Sequence, residues 1–207
     1  WLVRYSSLNG PREQNLGTKL SILGFYAEKN WQKVLVVSIA INFFAAIHRG
    51  ELVVDVDDEF QISSDTLDQV LGSNDFRGPA NRAGIYSSEI ENRLSYLRAI
   101  RAEDSVRMSS EQYDLGNIKM CLQVEEGLPR RVAILRNGMY ITDRLSGLQR
   151  FSGLKDFSGV IECESDKGNS LLRSMEPPRH DDFEPDRLVG KNAVKKGRQA
   201  LSEMAEW

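Results

Sequence analysis

The strongest local signal in this chain is Arg131-Val-Ala-Ile-Leu-Arg-Asn-Gly-Met-Tyr-Ile-Thr-Asp143. Two apolar runs flank the dipeptide Asn137-Gly138, and both of these residues readily adopt the positive φ that a type I′ turn requires. The pattern therefore predicts a tight β-hairpin. An isolated hairpin is marginally stable in water, so the fold class depends on what the flanking sequence adds.

Sequence on both sides of this hairpin supplies further strands. Residues 117–124 alternate between apolar and polar side chains, and residues 157–164 form another strand pattern. Near the start of the chain, residues 1–5 and 18–25 are predicted to be two strands joined by a polar connection. Because two strands alone are marginal, we expect this pair to belong to a larger sheet.

Helical patterns alternate with these strands. Residues 30–48 are apolar over most of the helix circumference, which predicts a helix that is buried on several sides and ended by Gly50. Its expected core stripe is Trp31, Val34, Leu35, Ile39, Phe43 and Ile47, widened by Val37, Ile41 and Phe44. The other predicted elements are a hairpin at 51–62, a short helix at 64–71 capped by Ser64, a surface loop at 73–87, a helix at 88–101, a turn at 166–169 leading to a short helix, and a helix at 192–207. We therefore expect an α+β fold, with a mixed or mainly antiparallel sheet and helices packed on one face.

The composition is that of a globular protein, with 41% hydrophobic and 28% charged residues and a net charge of −3. This slight acidity argues against a generally basic nucleic-acid-binding domain, although a local basic patch is compatible with it. The longest apolar stretch, residues 34–46, is shorter than the roughly 20 residues that span a bilayer, so we expect no membrane insertion. Cys121 and Cys163 lie in apolar alternating runs and are predicted to be buried thiols in a reducing, cytoplasmic compartment rather than a disulfide.

The sequence lacks the common self-contained catalytic motifs. It has neither a Gly-x-x-x-x-Gly-Lys-Ser/Thr loop nor a Gly-x-Gly-x-x-Gly loop for phosphate, and no Gly-x-Ser-x-Gly nucleophile elbow. With two distant histidines and no paired cysteines, we expect no metal site. Asp57-Asp58-Glu59 could bind a cation, and Lys195, Lys196 and Arg198 could touch phosphate, but a solvated hairpin tip and a solvated helix face are the simpler interpretations. We therefore expect no catalytic residues within this chain.

A resemblance to a known family begins at residues 17–25, Gly-Thr-Lys-Leu-Ser-Ile-Leu-Gly-Phe. They resemble the Gly-Thr-x-Ile-x-Ile strand with which GHKL ATPases close their nucleotide-binding domain. This family includes gyrase B, MutL, the ninety-kilodalton heat-shock chaperones and the microrchidia proteins. Gly17 and Thr18 fit the start of that strand, and the resemblance implies that they border the nucleotide, because glycine lets the backbone approach it closely.

Two later segments resemble the transducer domain of microrchidia-type proteins. Residues 132–142 are similar to that domain's Asn-Arg-Leu-Ile hairpin segment. Residues 176–183, Glu-Pro-Pro-Arg-His-Asp-Asp-Phe, resemble the Glu-Pro-Thr-His-Asn-Lys-Gln-Asp-Phe motif, whose lysine reaches the γ-phosphate of bound ATP. This chain is one residue shorter there and has no lysine, so Arg179 or His180 would have to supply the positive group. Lys155, in the loop before the last predicted strand, is a second candidate for this contact.

The resemblance implies a division of labour between this chain and a domain that precedes it. Residues 1–27 would be the last strands of a GHKL nucleotide-binding domain, and residues 28–207 a transducer domain that ends in a helix. The family's Glu-x-x-x-Asn and Asp-x-Gly-x-Gly elements would precede Trp1, so that ATP and Mg²⁺ would be bound mainly by the upstream ATPase domain. The transducer would relay the nucleotide state to a dimer interface or an effector. The implied partners are a second copy, as a homodimer, and a protein or nucleic-acid client, in a chaperone-like, DNA-linked or bacterial conflict setting.

Two other interpretations stay open. Residues 176–182 could be a proline-rigid loop whose charges pair with one another, and the chain would then be a protein-interaction module that keeps the fold without nucleotide sensing. The missing motif lysine favours that alternative. An independent hydrolase or nuclease would need clustered carboxylates with metal-ligand geometry, which the spacing does not reveal. Arg136, at the hairpin shoulder, is interpreted as a structural or surface residue, with docking of the hairpin tip on a partner as the alternative.

Overall fold

The structure is a computed structural model, and it describes residues 27–149 and 151–207. The strands predicted at residues 1–5 and 18–25 lie outside these residues, and so do Gly17 and Thr18. The described chain has an α+β fold, as predicted, and it divides into two compact units, of which the first ends at Arg93 and the second begins at Leu94. The boundary near residue 27 between an ATPase domain and a transducer domain stays a prediction.

A long apolar helix, α1, forms the centre of the first unit. It spans Trp31–His48, close to the predicted range, and Gly50 follows it with a φ of 71°. The buried side chains of α1 are Val36, Val37, Ala40, Ile41, Phe44, Ala45, Ala46 and Ile47. The predicted stripe is therefore displaced around the helix, because small alanines that allow close packing lie on the buried side. The members that are only partly buried are Trp31, Val34, Leu35, Ile39 and Phe43.

Helix α1 has the length and apolar composition of a membrane span, with a mean hydropathy of 1.4, and no other helix among the described residues does. The core helix of a soluble protein has the same composition, and 44% of α1 is buried inside the protein. By length and composition alone the helix is weak support for a membrane span. The cytoplasmic location stays a prediction.

A short hairpin follows α1. Strands β1 (Val54–Val56) and β2 (Phe60–Ile62) pair antiparallel, which confirms the predicted hairpin and its acidic turn. Asp57 and Asp58 occupy the left-handed region of the turn, with φ of 58° and 53°. Aspartate tolerates this conformation better than most residues, which accounts for its place at the tip.

The next helix, α2, spans Leu67–Gly72 and starts later than predicted. Its N-cap is Thr66 rather than Ser64. The Thr66 hydroxyl oxygen accepts a hydrogen bond from the backbone N–H of Ser63 at 2.9 Å. This hydrogen bond closes a turn at residues 63–66, directly before the helix.

Residues 73–87 are not the predicted surface loop, because they contain helix α3 (Asn74–Arg82). Ser73 caps this helix by accepting a hydrogen bond from the backbone N–H of Asp75 at 3.2 Å. Pro79 lies inside the helix and removes one backbone donor. Phe76 and Ala80 are four residues apart, so they lie on one helix face, and both are buried. The burial of these two side chains stabilises α3 and offsets the backbone hydrogen bond that Pro79 cannot donate.

The second unit contains a five-stranded sheet preceded by helix α4 (Ser87–Arg101), which matches the predicted helix at 88–101. The strands are β3 (Val106–Gln112), β4 (Gly116–Val124), β5 (Arg131–Arg136), β6 (Met139–Thr142) and β7 (Phe157–Cys163). Their spatial order is β3-β4-β7-β5-β6. β5 and β7 are parallel and the other neighbours are antiparallel, which confirms a mixed sheet.

The predicted hairpin at residues 131–143 is formed by β5 and β6. Asn137 and Gly138 connect the strands with φ of 47° and 73°, as a type I′ turn requires. The sequence pattern does not predict β3, because five of its seven residues are exposed and no apolar alternation marks it. Strand β7 lies between β4 and β5, so the hairpin pairs with a strand that follows it in the chain.

Two helices follow the sheet, α5 (Asp166–Met175) and α6 (Lys191–Glu206), with a 3₁₀ turn at Pro185–Arg187 between them. The predicted turn at residues 166–169 is wrong, because these residues form the first turn of α5. Ser165 is its N-cap and accepts a hydrogen bond from the backbone N–H of Gly168 at 2.9 Å. The helix predicted at 192–207 is confirmed by α6.

Helices lie on both faces of the sheet, which corrects the prediction of a single covered face. Successive side chains of a strand point to opposite faces. Ile161 of β7 belongs to a core that includes Leu172 of α5 and Met204 of α6. Ser158 lies three residues before Ile161 on β7, so its side chain is on the other face of the sheet. It forms a 3.0 Å hydrogen bond with Ser95 of α4. The C-terminal half of α4 therefore packs opposite α5 and α6.

Both cysteines are free thiols. Cys163 is buried, and Cys121 is partly buried. Cys121 lies opposite Val160 in the sheet register, three residues from Cys163, so the two side chains project from opposite faces. Burial raises the pKa of the Cys163 thiol, which favours the neutral form expected of a structural cysteine.

Candidate functional site

The segment with the resemblance to the phosphate-contact motif is organised around a buried carboxylate. Glu176 directly follows α5, and its side chain is 0% exposed. Arg136, the last residue of β5, binds it with two donors: Nε donates to Oε1, and Nη2 donates to Oε2 at 3.1 Å. The Nδ1 atom of His180 lies 2.6 Å from the same Oε2. We name Arg136, Glu176 and His180 the carboxylate cluster.

The backbone of the loop holds His180 in place against Glu176. The backbone N–H of His180 donates to the carbonyl oxygen of Pro177 at 2.9 Å, which closes a turn through the two prolines. His180 has a φ of 54°, in the left-handed region that few non-glycine residues adopt, histidine more often than most. The loop is closed at its base by a hydrogen bond from the backbone N–H of Glu184 to the carbonyl oxygen of Met175 at 2.8 Å.

The imidazole of His180 is oriented but accessible. Its side chain is 48% exposed, and the contact with Glu176 uses Nδ1, so Nε2 is the ring nitrogen left for a ligand. A carboxylate on one ring nitrogen fixes the orientation of the other, as in many sites where histidine moves a proton or binds a charged group. The carboxylate cluster can therefore present one nitrogen donor or acceptor at a fixed position.

Arg179 lies beside His180 but outside the carboxylate cluster. Its side chain is 86% exposed and its Nε is 3.4 Å from Oδ2 of Asp181. Such an exposed ion pair contributes at most about 1 kcal/mol. Arg179 can therefore exchange its partner at small cost. With His180 on Glu176 and Arg179 on Asp181, charges of this loop pair with one another, as the protein-interaction interpretation expected.

Lys155 is not brought together with Arg179 and His180. It is exposed and lies two residues before β7, whereas Arg136 of the carboxylate cluster lies opposite Cys163, the last residue of β7. Seven residue steps separate Asp156 from Cys163, which corresponds to about 23 Å along a strand. Lys155 and the cluster are therefore at opposite ends of the sheet and cannot contact one phosphate group.

The residue next to Lys155 anchors the loop that carries it. The Asp156 carboxylate accepts hydrogen bonds from the backbone N–H of Gly127 at 2.9 Å and from Nε of Arg130 at 2.7 Å. The Gly127 N–H and, after it, the Arg130 side chain lower the pKa of Asp156. These bonds tie the segment before β7 to the segment before β5.

A pH titration tests this anchor. Because the pKa of Asp156 is lower in the folded than in the unfolded chain, its stabilising effect is complete above the ordinary aspartate pKa of about 3.9 and is lost as the pH falls through the lower folded value. We expect the ¹³C NMR titration of the Asp156 carboxyl to have its midpoint below that of a model peptide. In Arg130→Met the midpoint should rise only partly, since the Gly127 N–H is the larger cause. A midpoint equal to the peptide value in the unmodified chain would contradict the anchor.

The other charged groups named from the sequence are dispersed. No group of three or more His, Cys, Asp or Glu side chains suited to a metal ion occurs in residues 27–149 or 151–207. On α6, Lys196 lies 3.0 Å from Asp114 and Arg198 lies 2.7 Å from Asp186, so both are engaged in ion pairs. The pair of Arg198 is exposed on both sides, whereas Lys196 contacts a carboxylate that is only 5% exposed.

Sequence reasoning missed the centre of the carboxylate cluster. Arg136 was interpreted as a structural or surface residue, and its buried ion pair gives it a structural role. Its partner and the burial of Glu176 have no sequence signature, since forty residues separate the two. The one local signal is the spacing of Glu176 and His180, four residues apart across two prolines. This spacing shows that the residues can approach each other, but not that the carboxylate is buried.

Comparison with models of known protein families yields no match, and neither curated protein sequences nor solved structures yield one. The GHKL resemblance therefore rests on the three segments described above and stays a prediction.

Proposed function

We propose that this chain is the transducer portion of a GHKL-type ATP-binding protein, and that its loop at residues 176–183 contacts the terminal phosphate of the nucleotide. In this proposal ATP and Mg²⁺ are bound mainly by an ATPase domain upstream of Trp1. The observation that supports it is the carboxylate cluster, which fixes the loop so that His180 and Arg179 are adjacent and accessible. The proposed protein is cytoplasmic and relays its nucleotide state to a dimer interface or to a protein or nucleic-acid client.

The chemistry of the two residues suits a phosphate oxygen. As an imidazolium, His180 donates from both ring nitrogens, with Nδ1 on Glu176 and Nε2 on the phosphate. Arg179 adds a planar fork of donors. A hydrogen bond between charged groups contributes about 1.5–3 kcal/mol, which exceeds the at most about 1 kcal/mol of the exposed pair with Asp181. A phosphate would therefore displace Asp181 from Arg179.

The proposal predicts a specific loss of ATP turnover. In the intact protein, the double variant Arg179→Ala, His180→Ala should lose one charged contact or more, so that turnover falls by about 10- to 100-fold. Arg187→Ala is the matched control, because it removes an exposed arginine that pairs with Glu184 in the following turn. Steady-state ATP hydrolysis measures both variants. Equal turnover in the double variant and the control would remove the sensor assignment.

The assignment to a GHKL protein has its own test. The reading frame upstream of Trp1 should encode the Glu-x-x-x-Asn and Asp-x-Gly-x-Gly elements, and the 207-residue chain by itself should not hydrolyse ATP. Absence of both elements, or turnover by the 207-residue chain, would contradict the proposal.

A protein-interaction module without nucleotide sensing is the second candidate function. The observation that favours it is the acidic character of the loop, where Asp181 already pairs with Arg179 and Asp182 follows. In such a module the double variant would leave ATP binding and turnover of the intact protein unchanged.

A further inference from the structure

Strand β3 is an edge of the five-stranded sheet, and within residues 27–149 and 151–207 it pairs only with β4. A strand edge presents unpaired backbone N–H and C=O groups, and proteins protect long edges with prolines, bulges, charged side chains or a covering element. β3 has neither of the first two, and its charges do not repel a second copy of the same strand. Its register with β4 is regular over all seven residues, it contains no proline, and its two charged residues have opposite signs.

The same edge carries exposed apolar side chains on one face. Val106 is 48% exposed and Met108 is 40% exposed. They lie opposite Leu122 and Met120 in the sheet register, so the side chains share a face. Val124 continues this row and is 47% exposed. We name these five residues the β3–β4 strip.

We propose that β3 is the interface of a homodimer, in which β3 of one copy pairs antiparallel with β3 of a second copy about a two-fold axis at Ser109. The two sheets then join into one of ten strands. Such an interface is isologous, because the same strand serves on both sides. This inference rests on the edge formed by β3 and β4, and it holds whether or not the chain senses a nucleotide.

The two charged residues of β3 favour a second copy of the same strand as its pairing partner. Ser109 is the fourth of seven residues, so an axis at Ser109 is the register that pairs the whole strand. In that register Arg107 of each copy lies opposite Glu111 of the other, which gives two opposite-charge pairs on one face. Shifting the register by two residues leaves both charges opposite uncharged residues and shortens the pairing. The strand is therefore complementary to itself in its fully paired register.

The opposite face gains apolar contacts in the same arrangement. A two-fold axis perpendicular to the sheet keeps equivalent faces on the same side, so the β3–β4 strips of the two copies become neighbours. Met108 of each copy then lies opposite Ser110 of the other, with Met120 behind it. Arg107 also donates to the carbonyl oxygens of Ile100 at 2.9 Å and Ala102 at 3.2 Å. These contacts hold the guanidinium on the face of the sheet on which Glu111 of the second copy also lies.

Charge reversal tests the interface on the 207-residue chain. Sedimentation equilibrium over a range of micromolar concentrations should give a mass twice the 23.4 kDa of the chain. Glu111→Arg places arginine opposite arginine twice and should weaken the dimer by about tenfold or more. Glu59→Arg is the matched control, since it makes the same charge change at the exposed tip of the β1–β2 hairpin. The double variant Arg107→Glu, Glu111→Arg restores opposite charges and should restore the dimer.

A disulfide provides a second measurement that does not depend on the charge variants. The proposed axis places Ser109 opposite its own copy, where the Cα atoms of directly opposed antiparallel residues are about 4.5–5.5 Å apart, within the roughly 4.4–6.8 Å that a disulfide spans. Ser109→Cys should therefore form a cross-linked dimer when oxidised glutathione is added, while the unmodified chain, with Cys121 and Cys163, should not. A monomeric mass for the unmodified chain at every concentration would overturn the proposal. A dimer that resists Glu111→Arg, or that fails to cross-link through Ser109→Cys, would overturn it as well.

Discussion

Glu176→Gln is expected to lower the free energy of unfolding of the second unit by about 3–5 kcal/mol, the usual cost of breaking a buried ion pair from one side. The carboxylate is 0% exposed and its partner Arg136 is 12% exposed. The substitution preserves the side-chain volume but leaves the guanidinium buried without a counter-charge. Equilibrium denaturation in urea, followed by a probe in the second unit, measures the loss.

Two controls separate charge burial from a general effect of mutation. Arg136→Met combined with Glu176→Leu removes both charges and replaces them with apolar side chains, so its stability should return to that of the unmodified chain or exceed it. Asp186→Asn breaks the largely exposed pair with Arg198 and should cost less than about 1 kcal/mol. If Glu176→Gln cost no more than Asp186→Asn, the carboxylate would not be the group that holds the loop.

The carboxylate cluster bears on both candidate functions. The pair of Arg136 and Glu176 fixes the loop whether the loop contacts a phosphate or only a protein. Stability measurements therefore test the cluster itself, whereas turnover of the Arg179→Ala, His180→Ala variant tests the use of the loop. His180 should contribute less to the fold than Glu176, since half of its side chain is exposed and Arg136 binds both Glu176 oxygens without it. It can be replaced without the loss expected for Glu176.

Local patterns predicted those parts of the fold that local interactions determine. The β5–β6 hairpin follows from Asn137-Gly138, where the turn geometry demands positive φ. Helix α4 follows from its apolar periodicity. Strand β3 was missed because most of its residues are exposed at the edge of the sheet. A strand exposed on both faces lacks the apolar alternation by which strands are predicted. Helix α3 was missed because Gly78-Pro79 indicates a loop, and its stabilising pair of buried residues depends on tertiary packing.

The candidate site was predicted less completely than the fold. The loop at residues 176–183 was selected because its sequence resembles a motif, and in the structure the side chains of Arg179 and His180 are accessible there. Lys155 was selected as a lone lysine before a strand, and the parallel register of β5 and β7 places it at the far end of the sheet. Arg136 and Glu176 meet only through the fold, so no window of sequence contains their interaction.

Gly168→Ala is the second substitution with a large expected effect. In the sequence this glycine indicated a turn, but it lies in the first turn of α5, where the helix meets the turn between β3 and β4. A Cβ atom there would overlap the carbonyl oxygen of Leu115 and lie 2.8 Å from its carbonyl carbon, and 2.5 Å from Sγ of Cys163. The Leu115 carbonyl also accepts hydrogen bonds from the Ser165 hydroxyl and from the Cys163 thiol, so two donors hold it in place.

A Cβ at Gly168 would meet backbone atoms, which have little freedom to move. We therefore expect Gly168→Ala to destabilise the second unit by about 3 kcal/mol or more, the upper end of the loss that overpacked cores usually show. In Gly197→Ala on α6 the close contacts of the new Cβ are with the side-chain ends of Leu188 and Met175, both at 2.7 Å, while Pro185 at 3.5 Å is an ordinary contact. This substitution should cost less because the two side chains can rotate. In Gly78→Ala of α3 the new Cβ would meet only the Arg82 guanidinium at 3.8 Å, an ordinary van der Waals contact, so this substitution should stabilise the first unit by about 0.4–1 kcal/mol. Urea denaturation of the three variants measures the series. A loss at Gly168 no larger than that at Gly197 would show that α5 can move away from the sheet, and would contradict its close docking on the Leu115 carbonyl.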